Sequence, residues 1–158
     1  MPNNMDDIAE LLKHRILLLD GAMGTSIHQF SLGENDFGGE KYEGCSEYLV
    51  ITRPDVISKI HEGYLEAGSD IIETNTFAGS SITLAEFGLA EISYELNKAA
   101  AKLAKKCALK FSTPEKPRFV AGAIGPTNRT ISPPGNITFG ELEDSYYTQA
   151  KALMDGGV

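Results

Sequence analysis

The sequence has no tryptophan and only two cysteines and three histidines among its 158 residues. Each scarcity closes off a class of chemistry. Cys45 and Cys107 stand far apart, with no CxxC and no Cys–His pair at ligand spacing, so neither a disulfide framework nor a zinc site is signalled. Cys107 falls on an apolar helical face and reads as a buried thiol acting as a small hydrophobe. Cys45 follows Gly44 in a polar, loop-like segment where it could be exposed, and nothing nearby would lower its pKa. His14, His28 and His61 have no partner at catalytic or ligand spacing and read as structural.

Positive charge is also short. Fourteen Lys and Arg face 22 Asp and Glu, a net charge of -8, which argues against a nucleic-acid partner because phosphate binding depends on clustered cations. No stretch approaches the roughly 20 apolar residues of a membrane span. The first residues, "MPNNMDDIAELLKHR", are acidic and amphipathic without the apolar core of a signal peptide. The reading is a soluble, cytoplasmic protein with no membrane partner.

What is present is a repeating grammar of short apolar runs and long amphipathic stretches. Ile16–Leu19, Asp70–Thr74 and Arg118–Ala123 read as short buried strands. Residues 54–67 place Val56, Ile57, Ile60, Tyr64 and Ala67 at helical spacing, with Pro54 suited to the first position and Gly68 to the stop. Residues 90–108 align Ile92, Leu96, Ala99, Leu103 and Cys107, and Lys102, Lys105 and Lys106 complement the helix dipole near its end. A third helix starts at "TFGE", where Thr138 and Glu141 have capping-box spacing, and stops at "GG". By its likeness to "GYLEAGSDII", the ending "KALMDGGV" makes Val158 the opening of another strand. Strands alternating with helices of this length form βα units on a parallel sheet, and "ILLL" is continuously apolar because both faces of such strands are covered.

In parallel α/β architectures ligands gather where the strands end. The three strand ends here are Asp20 with "GAMGT", "ETNTF" (73–77) and "GAIGPTN" (122–128). "GAMGT" lacks the Gly-Lys-Ser/Thr ending of a P-loop and the three glycines of a dinucleotide fingerprint. An acid beside unshielded backbone N–H groups suits a zwitterion: Asp20 can pair with an ammonium while the amides of Gly21, Ala22 and Met23 hold a carboxylate. Asp20 could instead cap the short helix that follows. Glu73 could supply a second acid or accept hydrogen bonds from neighbouring loops. Asn75 and Thr76 offer neutral donors and acceptors, either to a ligand or to a structural ladder.

The words "LLLDGAMGT", "YLEAGSDIIETNTF" and "FVAGAIGPTNRT", with the intervening "TRPDVISKIHEGYLEAG" and "YELNKAAAKLAKK", carry a resemblance over nearly the whole chain. From Arg15 to Val158 it resembles the N-terminal homocysteine-binding region of the cobalamin-dependent methionine synthases, within the homocysteine S-methyltransferase family. The resemblance implies a (β/α)8 TIM barrel, of which residues 1–158 form the N-terminal half, a partial domain ending at the start of the fourth strand. It implies homocysteine bound at the C-terminal rim and its thiol activated on zinc for attack on a methyl donor, forming methionine. The family's residues matching Asp20, Gly21 and Met23 contact the homocysteine amine and carboxylate, and Ala22, Gly24 and Thr25 complete that turn as substrate-binding positions. The family's zinc ligands are cysteines of the second barrel half, and a further acid follows its fourth strand; neither region lies in these residues, and Cys45 and Cys107 match none of those positions. Zinc and cobalamin are therefore expected with the full-length family enzyme and not with this segment, which should be inactive alone. The implied partners are homocysteine, the remaining barrel half, and cobalamin and folate domains. Open sheet edges predict self-association. The alternative reading is a non-catalytic half-barrel that binds an amino acid or assembles with itself.

Overall fold

The computed structural model describes residues 4–131 and 135–158. The first three residues of the amphipathic N-terminal stretch lie outside these. After α1 (Asn4–Leu12) the chain passes through an extended segment into α2 (Met23–His28), two short 3-10 turns (Glu40–Tyr42 and Ser46–Tyr48) and α3 (Leu49–Thr52). Then come α4 (Pro54–Ala67), β1 (Ile71–Glu73), α5 (Ser81–Leu84), α6 (Ser93–Phe111), β2 (Phe119–Ala121) and α7 (Phe139–Gly156). No helix among the described residues is long and apolar enough to cross a membrane.

Local signals set the helix ends. Pro54 opens α4, where a missing N–H costs nothing, and Gly68, at φ 114°, closes it by donating to the carbonyls of Tyr64 and Leu65. The same left-handed stop recurs at Gly157, φ 104°, after α7. At the other end of α7, the Thr138 hydroxyl accepts the Glu141 N–H and the Glu141 carboxylate accepts the Thr138 N–H, a reciprocal capping box. Beyond Gly157 the Val158 N–H donates to Leu153 at 3.4 Å, as the Ser69 N–H donates to Tyr64 at 3.0 Å between α4 and β1.

The sheet is parallel and small. β1 pairs with β2 in the register Ile71 to Phe119, Ile72 to Val120 and Glu73 to Ala121. The first apolar run joins through a single bridge, Leu19 to Ile71, flanked by the Asp70 and Ile71 N–H groups donating to Leu18 and the Asp20 N–H donating to Ile71. Position and direction match the expected strand, but its burial does not: Ile16 is 84% exposed, and Leu18 and Leu19 are more than half exposed. In the described residues helices cover only one face of the sheet, where Ile72 packs on Leu65, Ala104, Cys107 and Ala108 from α4 and α6. Burial of Ile72 contributes about 2 kcal/mol.

α4 and α6 lie side by side beneath this sheet, and α7 packs along α6. The buried face of α6 is Leu96, Ala100, Ala101, Ala104, Cys107 and Ala108, with Ser93 and Asn97. The expected stripe is rotated, since Ile92, Ala99 and Leu103 are only partly buried. At Ala101 α7 comes close: a Cβ on Gly156 would stand 2.4 Å from that of Ala101 and 2.8 Å from the Lys98 carbonyl. Cys45, whose loop-like segment left exposure open, is 1% exposed and packs with Val50, Leu84, Leu89 and Leu96; burial pushes its thiol up to about 11.

Candidate functional site

The strand ends converge on one cavity of about 480 Å³. Its first wall is the turn after Leu19. The Asp20 N–H is held by Ile71 at 2.9 Å, which aims the side chain across the tip of β1, where Oδ2 accepts the Glu73 N–H at 3.0 Å. Oδ1 is buried and has no partner among the described residues. Burial pushes the Asp20 carboxyl up to about 6, with the Glu73 charge adding to the rise and the Glu73 N–H opposing it. A half-buried acid with one unclaimed oxygen is a group that gains by meeting a cation.

The backbone beyond it is pinned from its carbonyl side only. The Ala22 carbonyl accepts the Ser26 hydroxyl at 2.8 Å and the Tyr64 hydroxyl at 3.2 Å, while the N–H groups of Gly21, Ala22 and Met23 donate to no protein acceptor among the described residues. Asp20 does not cap α2, whose N-cap is Ala22 with no side-chain bond.

The second wall comes from residues 73–77. Glu73 is exposed at the rim. Thr74 and Thr76 share a hydroxyl–hydroxyl bond of 2.6 Å; Thr74 accepts the Ala123 N–H at 3.0 Å and Thr76 donates to the Ala123 carbonyl at 2.8 Å. These bonds lock the β1 loop to the β2 loop. Asn75 donates to the Ser46 carbonyl at 2.7 Å, and the Ala78 N–H donates to Glu47 at 3.0 Å, so the 3-10 turn at Ser46–Tyr48 is latched to the same loop. The ladder role read for Asn75 and Thr76 is thus made, and both residues still line the cavity.

Of the nine expected site residues, Asp20, Gly21, Ala22, Met23, Gly24, Glu73, Asn75 and Thr76 line this cavity. Thr25 does not; it is exposed on α2. The remaining wall is Ser46, Glu47, Thr74, Phe77 and Ala123. Thr74, Phe77 and Ala123 belong to strand-end segments already marked by sequence. Ser46 and Glu47 had no signal, because an isolated 3-10 turn has no periodicity to read. Among the described residues the lining carries three carboxylates, Asp20, Glu47 and Glu73, and no Lys, Arg or His, which gives the cavity a negative field that favours a cationic group.

Residues 17–158 match the family model described as homocysteine S-methyltransferase. The chain belongs to that family. Two crystal structures of the homocysteine methyltransferase MmuM from Escherichia coli share its fold. The oxidized form superposes with a TM-score of 0.74 at 24% identity, covering 94% of this chain and 52% of that one. The metallated form gives a TM-score of 0.75 at 23% identity, covering 94% and 54%. The chain therefore spans about half the length of these solved family members, and its parallel sheet with flanking helices corresponds to a part of the homocysteine methyltransferase fold.

The histidines stand outside the cavity. His14 and His28 are exposed, and His14 lies 3.2 Å from Glu10. His61 is fully buried on α4, neither ring nitrogen bonded to any of the described residues, and burial lowers it to about 4.

Proposed function

We propose that this chain is the homocysteine-binding N-terminal half, residues 1–158, of a (β/α)8 methionine synthase of the cobalamin-dependent kind. The observation that carries the reading is the pairing, on one cavity wall, of an acid with an oxygen and three backbone N–H groups that find no partner among the described residues. Homocysteine presents its ammonium to Asp20 and its carboxylate to the Gly21, Ala22 and Met23 N–H groups, with Glu73 as a second acid at the rim. The arriving ammonium lowers the Asp20 pKa and secures its ionised form. The assignment to the cobalamin-dependent branch rests on the words "ETNTF" and "GPTNRT".

Zinc activation of the thiol does not fit the side chains present. The cavity offers no thiol or imidazole, both cysteines are buried, and no group of three or more His, Cys, Asp or Glu among the described residues could hold a metal ion. Thiolate is the nucleophile in sulfur methylation, and an unassisted thiol with a pKa of about 8.5 is mostly protonated at neutral pH. The half described binds and orients; by this reading zinc, cobalamin and the completed reaction belong to the full-length enzyme, together with its second barrel half and its cobalamin and folate domains. Exposed Ile16, Leu18 and Leu19 are the edge that further strands would cover, and they give the isolated chain a surface for self-association. The reading places the protein in the cytoplasm.

Isothermal titration of the chain with L-homocysteine tests the head-group site. Binding that falls at least tenfold in Asp20→Asn supports it; equal affinity of the two proteins removes Asp20 from the site.

A further inference from the structure

The cavity wall is held from behind by buried amides on two helices, and this scaffold has no part in the head-group chemistry. Gln149 on α7 is fully buried; its Nε2 donates to the Thr76 carbonyl at 2.8 Å and to Asn97 Oδ1 at 3.2 Å. Asn97 on α6, equally buried, donates from Nδ2 to the Gly79 carbonyl and to the Ser93 carbonyl, each at 2.7 Å. The Ser93 hydroxyl adds a second donor to Gly79 at 2.8 Å. Three side chains thus claim the carbonyls at both ends of the Thr76–Gly79 turn, whose own closing bond runs from the Gly79 N–H to Thr76 at 2.9 Å.

From Thr76 the chain of bonds continues into the cavity. The Thr76 hydroxyl meets Thr74 and the Ala123 carbonyl, and Thr74, Thr76 and Ala123 all line the ligand wall. Gln149 Oε1 has no partner among the described residues, so the hold is exerted through the donors: each donor that moves leaves a buried carbonyl unsatisfied in low dielectric.

We infer that Gln149 and Asn97 are positioning residues for the ligand cavity: through the Thr76 and Gly79 carbonyls they set the β1 loop, and through the threonine pair they set the β2 loop, against the Asp20 wall. The inference rests on the reading of that cavity as the homocysteine site. A purely structural role would make substitution at Gln149 equivalent to any core lesion of the same cost.

The test uses the full chain and hydrogen exchange of segments 74–80 and 121–126, with homocysteine titration alongside. Gln149→Met keeps the volume and removes the donor. Leu65→Ala, in the core between α4, α6 and β1, is the matched lesion away from the network. Exchange in both segments should rise at least tenfold more in Gln149→Met than in Leu65→Ala, compared at equal loss of thermal stability, with a homocysteine affinity about tenfold weaker. Exchange no faster than in Leu65→Ala overturns the inference. Ser93→Ala, which deletes one of two donors to Gly79, is the milder variant should Gln149→Met fail to fold; it should accelerate exchange at 79–80, and unchanged exchange there counts against the network. If the unsubstituted chain takes up no homocysteine, the functional reading fails by itself, and the exchange comparison still decides whether the network sets the wall.

Discussion

Two aspartates sit at opposite ends of the same short parallel strands; each accepts one backbone N–H, and there the likeness ends. Asp70, just before β1, is 2% exposed at its side chain and takes both guanidinium nitrogens of Arg15, at 2.8 and 2.9 Å, together with the Leu18 N–H at 2.9 Å. Arg15 and the Leu18 N–H hold its carboxyl below the usual carboxylate range. Asp20, at the far end, takes one backbone N–H, leaves an oxygen unclaimed and rises to about 6. One end of the sheet spends its acid on tying the first segment to the second. The other holds an acid in reserve, at a cost to the fold that a ligand can offset.

The largest expected effect lies at the closed end. Asp70→Ala removes a bidentate partner and leaves the Leu18 N–H and Arg15 uncompensated. It should cost about 3 kcal/mol, less than a fully buried pair would because Arg15 is one third exposed, read as a fall in the urea midpoint at unchanged slope. A loss below about 1 kcal/mol would make the two ends alike.

Asp20→Asn should act in the opposite direction. An acid whose folded pKa exceeds its unfolded value stabilises the fold at low pH, and that stabilisation is lost as pH rises through the folded pKa. For Asp20 the window runs from about 4 to about 6. Asp20→Asn should therefore gain stability relative to the parent across that window, by about 1 to 2 kcal/mol once the screening of a half-exposed group is allowed for, and the difference should be flat above pH 7. Differences must be compared because His61, lowered to about 4, gives both proteins the reverse trend: its neutral form is favoured in the fold, so stability falls as pH drops from about 6.5. Asp70 adds a further loss below about pH 4, as its depressed carboxyl protonates. Urea unfolding of both proteins at pH 4.5, 6 and 8 separates these contributions; a pH-independent difference would contradict the reserve role of Asp20.

The smallest effect sharpens the open end. A Cβ on Gly21 would stand 3.1 Å from the Tyr64 hydroxyl, the group that pins the Ala22 carbonyl. Gly21→Ala should change stability by no more than about 0.5 kcal/mol, since the position is exposed and a ring tip can yield, yet weaken homocysteine several-fold by shifting the turn. Titration calorimetry beside thermal melting reads both.

Sequence made the helices legible where the signal is local. Pro54, Gly68 and the Thr138–Glu141 pair mark α4 and α7 at their ends because capping chemistry is settled within one turn. It was less informative where burial depends on distant neighbours. The run "ILLL" has the composition of a doubly covered strand, but pairing with one bridge and helices on a single face leave it exposed. The buried side of α6 was misplaced because large apolar residues drew the stripe, whereas much of the buried face is alanine, which carries little hydrophobic signal. In the cavity, the first turn and "ETN" were legible from residue type at strand ends. Ser46 and Glu47 were not, since they arrive through a latch between loops distant in sequence.

The tight seat of Gly156 on Ala101 makes α7 a lever. Gly156 and Gln149 are two turns apart on one stiff rod, about 10 Å along its axis. A methyl group introduced at the helix's far tip would wedge the rod off its neighbour, and the displacement would surface at Thr76, in a chamber that the altered residue never touches.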